Sequence, residues 1–423
     1  MNSFTQKIAL LFSDTSLRNR LLFVLGVLAV FRLLAVIPIP GINASQLQLF
    51  LANNQFFGLL NLFSGGGLSN LSIVMLGVGP YITASIIFQL LTMMVPRLKQ
   101  LYQEEGEAGR ARFSQYTRML ALPIAVVQGI SFLLILQRQG ILPNLTSFQF
   151  GVNLVVITAG SLFLMWLGEL ISEFGLGNGI SILIFSGIVA SLPTHVSQAL
   201  FSFSAAQLPM YIAFLAAAVA VVAAVVVVTE AERPVPVTYA KQVRGMKYFG
   251  GTSTYLPLRL NQAGVIPIIF ALSLLLIPQM AATFFSTSSH LWLARAAQAT
   301  QGFMQNLTFY GIMYFILVFL FTYFYTAVTF DPHKISENLQ KNGAFIPGVR
   351  PGNSTTEYLS KVITRITFVG ALFLGVIAVL PIIVQSLSGI QSLALGGTAL
   401  LIVVSVILDL TRRIDAQLSI REY

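Results

Sequence analysis

The chain has 423 residues, of which 56% are hydrophobic and only 9% charged, with a formal net charge of +10 and no cysteine. Soluble domains carry roughly 25% charged residues, so a soluble fold is excluded and a multi-spanning membrane protein remains. Disulfides and thiolate metal sites are excluded as well.

At the N-terminus, Phe4, Ile8, Leu11 and Phe12 recur at helical spacing beside Lys7, which suits a short helix lying in the membrane interface. Leu21 to Ile37 is apolar but carries Arg32 and runs into Pro-Ile-Pro, not a small-residue cleavage site; it reads as the first span, not a signal peptide. From Leu33 to Val95 there follow 63 residues without Asp, Glu, Lys, Arg or His. Within them Pro38-Ile39-Pro40-Gly41-Ile42 is a turn. Phe56 to Asn70 is apolar yet broken by Gly58, Gly65, Gly66 and Gly67, and too short to cross about 30 Å, which takes roughly 20 helical residues. Backbone that enters a membrane without crossing it needs protein or cavity water to satisfy its polar groups. Residues 56–72 are therefore predicted to be a re-entrant plug at the mouth of an internal cavity; an interfacial loop fits the periodicity equally.

Spans are predicted at 21–37, 73–95, 119–136, 152–171, 180–192, 210–229, 263–284, 309–328, 366–384 and 395–410, ten in all, so both termini fall on one side. With Arg32 set aside inside the first span, only Arg138 and Arg295 of the 24 Lys and Arg fall on one face, and 21 on the other. The positive-inside rule makes the richly charged face cytoplasmic, both termini included. Ten spans divide into an N-terminal half, 1–209, and a C-terminal half, 210–423. The fifth and tenth spans are short and follow glycine-rich approaches, Gly175-Leu-Gly177-Asn-Gly179 and Gly396-Gly397, the pattern of an inverted repeat with its passage between the halves.

The charged residues within spans, Arg32, Glu169 and Asp409, sit toward span ends, where snorkelling or pairing accounts for them. Proton coupling is thereby disfavoured, while sodium coupling through backbone carbonyls stays open. No HExxH, no facing carboxylate pair and no GxxxxGK loop is present, so the chain is not expected to be an enzyme. His195, His290 and His333 show no metal-ligand spacing, and no metal or cofactor is expected. What remains is a passage lined by apolar and hydroxyl side chains. The second span, with Gly77, Gly79, Pro80, Thr83, Ser85 and Gln89, offers a loosened, mildly polar surface for one; plain helix packing also enriches such residues.

Two long cytoplasmic loops stand out. Residues 230–262 alternate through Pro234-Val-Pro236-Val-Thr-Tyr and reach Gly250-Gly251, which predicts a projecting β-hairpin made basic by Arg233, Lys241, Arg244, Lys247 and Arg259. Residues 330–361 open with Asp331-Pro332, a helix start, and the helix ends near Gly343. Beyond it Phe345-Ile-Pro347-Gly348-Val-Arg350-Pro351-Gly352 makes a rigid tip presenting one arginine. Loops of this length tend to be functional, and basic tips suit anionic lipid, RNA or an acidic partner.

That tip, with Asn61-Leu-Phe-Ser-Gly-Gly66, Gly79-Pro-Tyr-Ile-Thr-Ala-Ser85, Gly177-Asn-Gly-Ile-Ser181, Ala263-Gly-Val-Ile-Pro267 and Gly397-Thr-Ala-Leu-Leu-Ile-Val403, closely resembles the SecY family, the large subunit of the bacterial protein-conducting channel. The resemblance runs through nearly the whole chain in order. It implies an all-α integral membrane protein: ten transmembrane helices in two pseudo-symmetric five-helix halves, with a plug half-helix after the first span. It also implies a pore opening across the membrane for secreted chains and sideways for signal sequences and membrane helices. Carried over by position, the apolar pore ring falls on Val78, Ile82, Ile184, Ile269 and Ile402, and the plug on about 57–70, with Leu60, Asn61, Leu62, Phe63, Ser64, Gly65, Gly66, Gly67 and Leu68 at its centre. The lateral gate sets the second and third spans against the seventh and eighth, with Thr83, Ser85 and Gln89 on a gate helix. Arg244, Lys247 and Arg350 are the partner-docking residues. Implied partners are the SecE and SecG subunits, the SecA motor, the ribosome through its RNA and proteins, signal sequences, nascent polypeptides and membrane lipids. The implied location is the bacterial inner membrane.

Overall fold

A computed structural model describes residues 14–39, 61, 64–68, 70–103, 105–138, 140–142, 145–201, 208–239, 242–244, 247–249, 253–286, 290–388 and 396–421. The predicted interfacial helix near Phe4 to Phe12 lies outside them. The helices are α1 (Thr15–Val36), α2 (Gly79–Met94), α3 (Pro96–Gln103), α4 (Gly106–Arg138), α5 (Ser147–Phe174), α6 (Gly179–Phe201) and α7 (Leu208–Glu230), then α8 (Ile266–Phe285), α9 (Leu291–Gln305), α10 (Leu307–Thr329), α11 (Pro332–Lys341), α12 (Asn353–Ser388) and α13 (Gly396–Arg421). Each predicted span coincides with one of α1, α2, α4, α5, α6, α7, α8, α10, α12 and α13. Five of these (α1, α4, α5, α10 and α12) are long and apolar enough to cross a membrane alone. Large apolar residues such as Leu22, Met119, Val155, Leu215, Ile316 and Val369 are exposed along them, as a lipid-facing surface requires.

Several predicted boundaries shift: α4 and α12 begin at Gly106 and Asn353, well before the predicted 119 and 366, and three others shift for a local reason. The second span begins at Gly79 and not at Ile73, because Gly77 has φ +59° and turns the chain, and Pro80 then sits in the first helical turn. It ends at Met94; α3 leaves it at 116°, starting with Pro96. Helix α6 runs through Pro193 to Phe201, since one missing N–H does not end a helix held by neighbours. Helix α13 continues past Asp409, whose carboxylate pairs with Arg413 one turn on at 2.9 Å. The fifth and tenth helices are thus longer than predicted, and only their apolar parts are short.

Packing follows the same order twice. In the first series α1 packs on α6, α2 on α4, α4 on α5, and α5 on α6; in the second α7 packs on α13, α8 on α10, α10 on α12, and α12 on α13. The two series meet where α8 lies against α2 and α4, and where α6 lies against α13. The largest apolar cluster spans this junction.

Both long loops fold onto the charged side as one unit. Strand β1 (Glu232–Tyr239) pairs antiparallel with β4 (Ser253–Arg259), with β2 (Gln242–Arg244) and β3 (Lys247–Phe249) forming a smaller hairpin between them. Strand β5 (Ala344–Phe345), from the second loop, adds to the free edge of β1, giving the order β4-β1-β5. Val235, Val237 and Leu258 pack under this sheet with Ile346, Leu359 and Ile363, so the loops share one core.

Candidate functional site

At the centre of the junction of the two series lies an apolar cluster. Val78 caps α2, Ile82 sits in its first turn, and Ile184, Ile269 and Ile402 come from α6, α8 and α13. Their exposures are 2, 6, 1, 6 and 2%, and all five belong to one apolar cluster. Side chains of this chemistry, where they line a narrow passage, repel water and ions by dewetting yet yield to a larger apolar guest. Its geometry is set from outside. The Ser161 hydroxyl on α5 donates to the Gly77 carbonyl at 2.8 Å, and Gly160 lies so close to the Ile73 carbonyl that a Cβ has no room. Together they press the turn before α2 onto α5. On α6, Asn178 Oδ1 accepts from the backbone of Ile180 (3.1 Å) and Ser181 (3.3 Å), fixing the helix start.

Of the predicted plug, Leu60, Leu62 and Phe63 lie outside the described residues. Asn61 is helical, and Ser64 to Leu68 form turns, with Ser64, Gly65, Gly67 and Leu68 buried. Their polar backbone is satisfied internally. Gly66 N–H donates to Asn61 O (2.8 Å), Ser72 N–H to Gly67 O (2.8 Å), and Leu68 N–H to Ser64 Oγ (3.0 Å). The stem is closed by Ile39 N–H to Leu71 O (2.9 Å) and Ile73 N–H to Ile37 O (3.1 Å), a Pro38–Ser72 bridge. Gly65 and Gly66 have φ +67° and +82°, which favours glycine. The Arg32 guanidinium on α1 donates to Gly65 O at 2.6 Å and to Ser186 O on α6 at 3.3 Å.

The three charged residues inside spans therefore divide. Glu169 pairs with Arg118 at 2.6 Å and Asp409 with Arg413, as end-of-span pairing predicts. Arg32 is half-buried and bound to the turn at Gly65 and to α6, which the snorkelling expectation missed; the signal available was its position as the cation on the N-terminal side of a 63-residue run without charge.

Thr83, Ser85 and Gln89 do not form one cluster. Buried Thr83 donates to Gly79 O at 3.0 Å and accepts from Gln128 of α4 at 3.5 Å, while Gln89 donates to Ser85 at 3.1 Å along α2 itself. A bond that crosses from the first series to the second was not predicted: Arg138, at the end of α4, donates to Ser286, the C-cap of α8, at 2.9 Å. At the opposite end a cavity of about 300 Å³ lies between Lys99 of α3 and Tyr323, Thr326 and Thr364 of α10 and α12.

Among the predicted docking residues, Arg244 and Lys247 face each other in the β2–β3 register, though their side chains lie outside the described residues. Arg350 is exposed on a rigid turn. Val349 N–H donates to Ile346 O at 3.0 Å across Pro347-Gly348, with Gly348 at φ +82°, a type II arrangement. Thr355 and Ser336 hydroxyls donate to Arg350 O (2.9 Å) and Gly352 O (2.8 Å), tying the tip to α12 and α11.

A family model described as SecY matches residues 72–411. The protein translocase subunit SecY of Mycobacterium bovis is 42% identical over 428 aligned residues, covering 96% of both chains. Among solved structures, one concerns a SecY protein whose plug domain stabilises the closed state of the translocation channel and maintains a membrane seal. It covers 93% of this chain and 90% of its own, with a TM-score of 0.62 at 20% identity. Sec61 in the canine ribosome-channel complex covers 93% and 90%, with a TM-score of 0.58 at 19% identity. These structural likenesses bear on the fold.

The Arg138–Ser286 bond sits on the surface, so its expected strength is that of an exposed pair, under about 1 kcal/mol. Spin labels at positions 134 and 281 should report a broader distance distribution between α4 and α8 in Ser286→Ala than in the unmodified protein. An unchanged distribution would show that the bond does not hold these helix ends together.

Proposed function

The chain belongs to the SecY family, and from that premise we propose that its five buried apolar side chains and the turn at residues 64–68 form the closed passage of a protein-conducting channel. Family membership replaces the sodium-coupled transporter that composition alone left open, and it makes the protein a translocation channel subunit, not an enzyme. The observation that carries the residue-level reading is the burial of Val78, Ile82, Ile184, Ile269 and Ile402 in one cluster at the meeting of α2, α6, α8 and α13.

In this reading the ring gives way when an extended chain enters, because its contacts are dispersive and non-directional and re-form around the guest. The plug turn leaves the axis, and the ring fits around the polypeptide closely enough to exclude ions. Signal sequences and membrane helices exit between α2 and α4 on one side and α8 and α10 on the other, where Thr83, Ser85 and Gln89 supply polar surface. The repeated packing order supports two halves, 1–209 and 210–423, hinged about the α6–α13 side. The charge asymmetry supports cytoplasmic termini in a bacterial inner membrane.

Transport work comes from outside, since the chain shows no nucleotide loop. The β4-β1-β5 sheet with its basic hairpin and exposed Arg350 is the proposed platform for the SecA motor and the ribosome. The related Sec61 structure is a ribosome-channel complex. SecE and SecG are proposed as membrane subunits bound to the lipid-facing sides of the helices.

Replacing Ile402 with Asn puts an amide into the ring and should raise resting ion leak in planar bilayers and export of clients with defective signals, each several-fold. Wild-type leak and wild-type stringency would remove Ile402 from the ring. Arg350→Glu should abolish motor-driven translocation in vesicles while membrane insertion and thermal stability stay normal; full translocation would remove the docking role.

A further inference from the structure

Arg32 occupies an unusual position. It lies in the apolar part of α1, where an ionised side chain is expensive to hold, and among the described residues no carboxylate pairs with it. Its guanidinium is satisfied by two backbone carbonyls, Gly65 O at 2.6 Å and Ser186 O at 3.3 Å, with the neighbouring Phe31 ring centroid 5.8 Å away. The two carbonyls belong to different elements. Gly65 is in the plug turn; Ser186 is in α6, two residues beyond Ile184.

The fit around Gly65 is equally tight. A Cβ there would collide with the Phe31 ring and lie 3.3 Å from the Gly187 Cα of α6, so the turn is wedged between α1 and α6. On the other side of Arg32, Asn70 Nδ2 donates to Ala35 O at 3.2 Å, holding the end of the same turn to α1. Hydrogen bonds from a charged donor are roughly twice as strong as neutral ones. The single cation therefore clamps three elements at once, and movement of α6 away from the axis removes one of its two acceptors.

We propose that Arg32 is the positioning residue that couples the plug to the ring: its bridge from Gly65 to Ser186 keeps the turn seated while α6 is in place and releases it when a client displaces Ile184. The proposal rests on the channel reading above and adds to it a trigger for unsealing. Anchored to both α6 and the plug, Arg32 transmits displacement of one to the other without any contact between client and plug. Wedging by Gly65 alone would resist plug movement but would not sense α6.

The chain contains no cysteine, so single-cysteine labelling reports one site at a time. In full-length channel reconstituted in vesicles, Ser64→Cys places a thiol in the buried turn, and Ala121→Cys, in a separate buried cluster, serves as the control. With Arg32→Leu the labelling rate of the plug thiol by an impermeant maleimide should rise at least about tenfold, the scale of a lost charge-assisted hydrogen bond, with the control thiol unchanged. Arg32→Lys, which keeps a donor cation, should recover most of the protection. Gly65→Ala should expose the plug thiol on its own, and combined with Arg32→Leu it should add little, because both break the same clamp. Unchanged labelling of the plug thiol in Arg32→Leu, a parallel rise at the control thiol, or multiplying effects in the double variant would each overturn the coupling role. If instead the channel reading itself were at fault, Ile402→Asn would give no leak, whatever the plug thiol reports.

Discussion

A bilayer offers backbone amides nothing to bond to, and residues 64–68 and 70–78 enter the fold without being a helix. Everything else is arranged around that constraint. Turns at Ser64 to Leu68 and from Asn70 to Val78 close on themselves, the Pro38–Ser72 bridge seals the stem, and Ser161 and Arg32 reach in from α5 and α1 to meet the Gly77 and Gly65 carbonyls. Irregular backbone is tolerated there because protein surrounds it. In return it delivers what a straight span cannot, a compact turn packed against α1 and α6.

The waist and the cytoplasmic platform divide the labour. The waist is built from side chains that bind nothing specifically, which suits clients of any sequence. The platform is the opposite: a twisted hairpin, a type II turn with Gly348 at φ +82° and two hydroxyl ties hold Arg350 in one place. Joining the loops through β1 and β5 links the elements that flank them, α7, α8, α11 and α12, through one core. In the proposed channel, ions and water would meet a dry constriction and a partner a fixed charge.

Features decided within a few residues were legible in the sequence. Asp331-Pro332 caps α11 as predicted, with Asp331 Oδ1 accepting from His333 N–H at 3.0 Å, and Asn178 starts α6. Long apolar runs between charged loops located the helices, because burial of uncharged backbone in lipid depends on composition. Hydropathy could not separate turn from helix in Ile73 to Val78, since both are equally apolar, and the decisive residue was Gly77. Pairings between distant segments left no local mark either: Thr238 with Phe345, Arg138 with Ser286, and Arg32 with Gly65 each join chain segments that share no periodicity. Of the site residues carried by resemblance, Val78, Ile82, Ile184, Ile269 and Ile402 share one large apolar cluster, whereas Thr83, Ser85 and Gln89 are spread along α2.

The central claim is that unfolded polypeptide passes through the waist formed by residues 78, 82, 184, 269 and 402. Its most direct test is a secretory chain stalled in transit, carrying a photocrosslinker, presented to channels with single cysteines or crosslinking residues at those five positions and at lipid-facing Val369 as the control. The account predicts adducts from all five and none from Val369. Adducts from Val369 alone, or from none of the five, would contradict it.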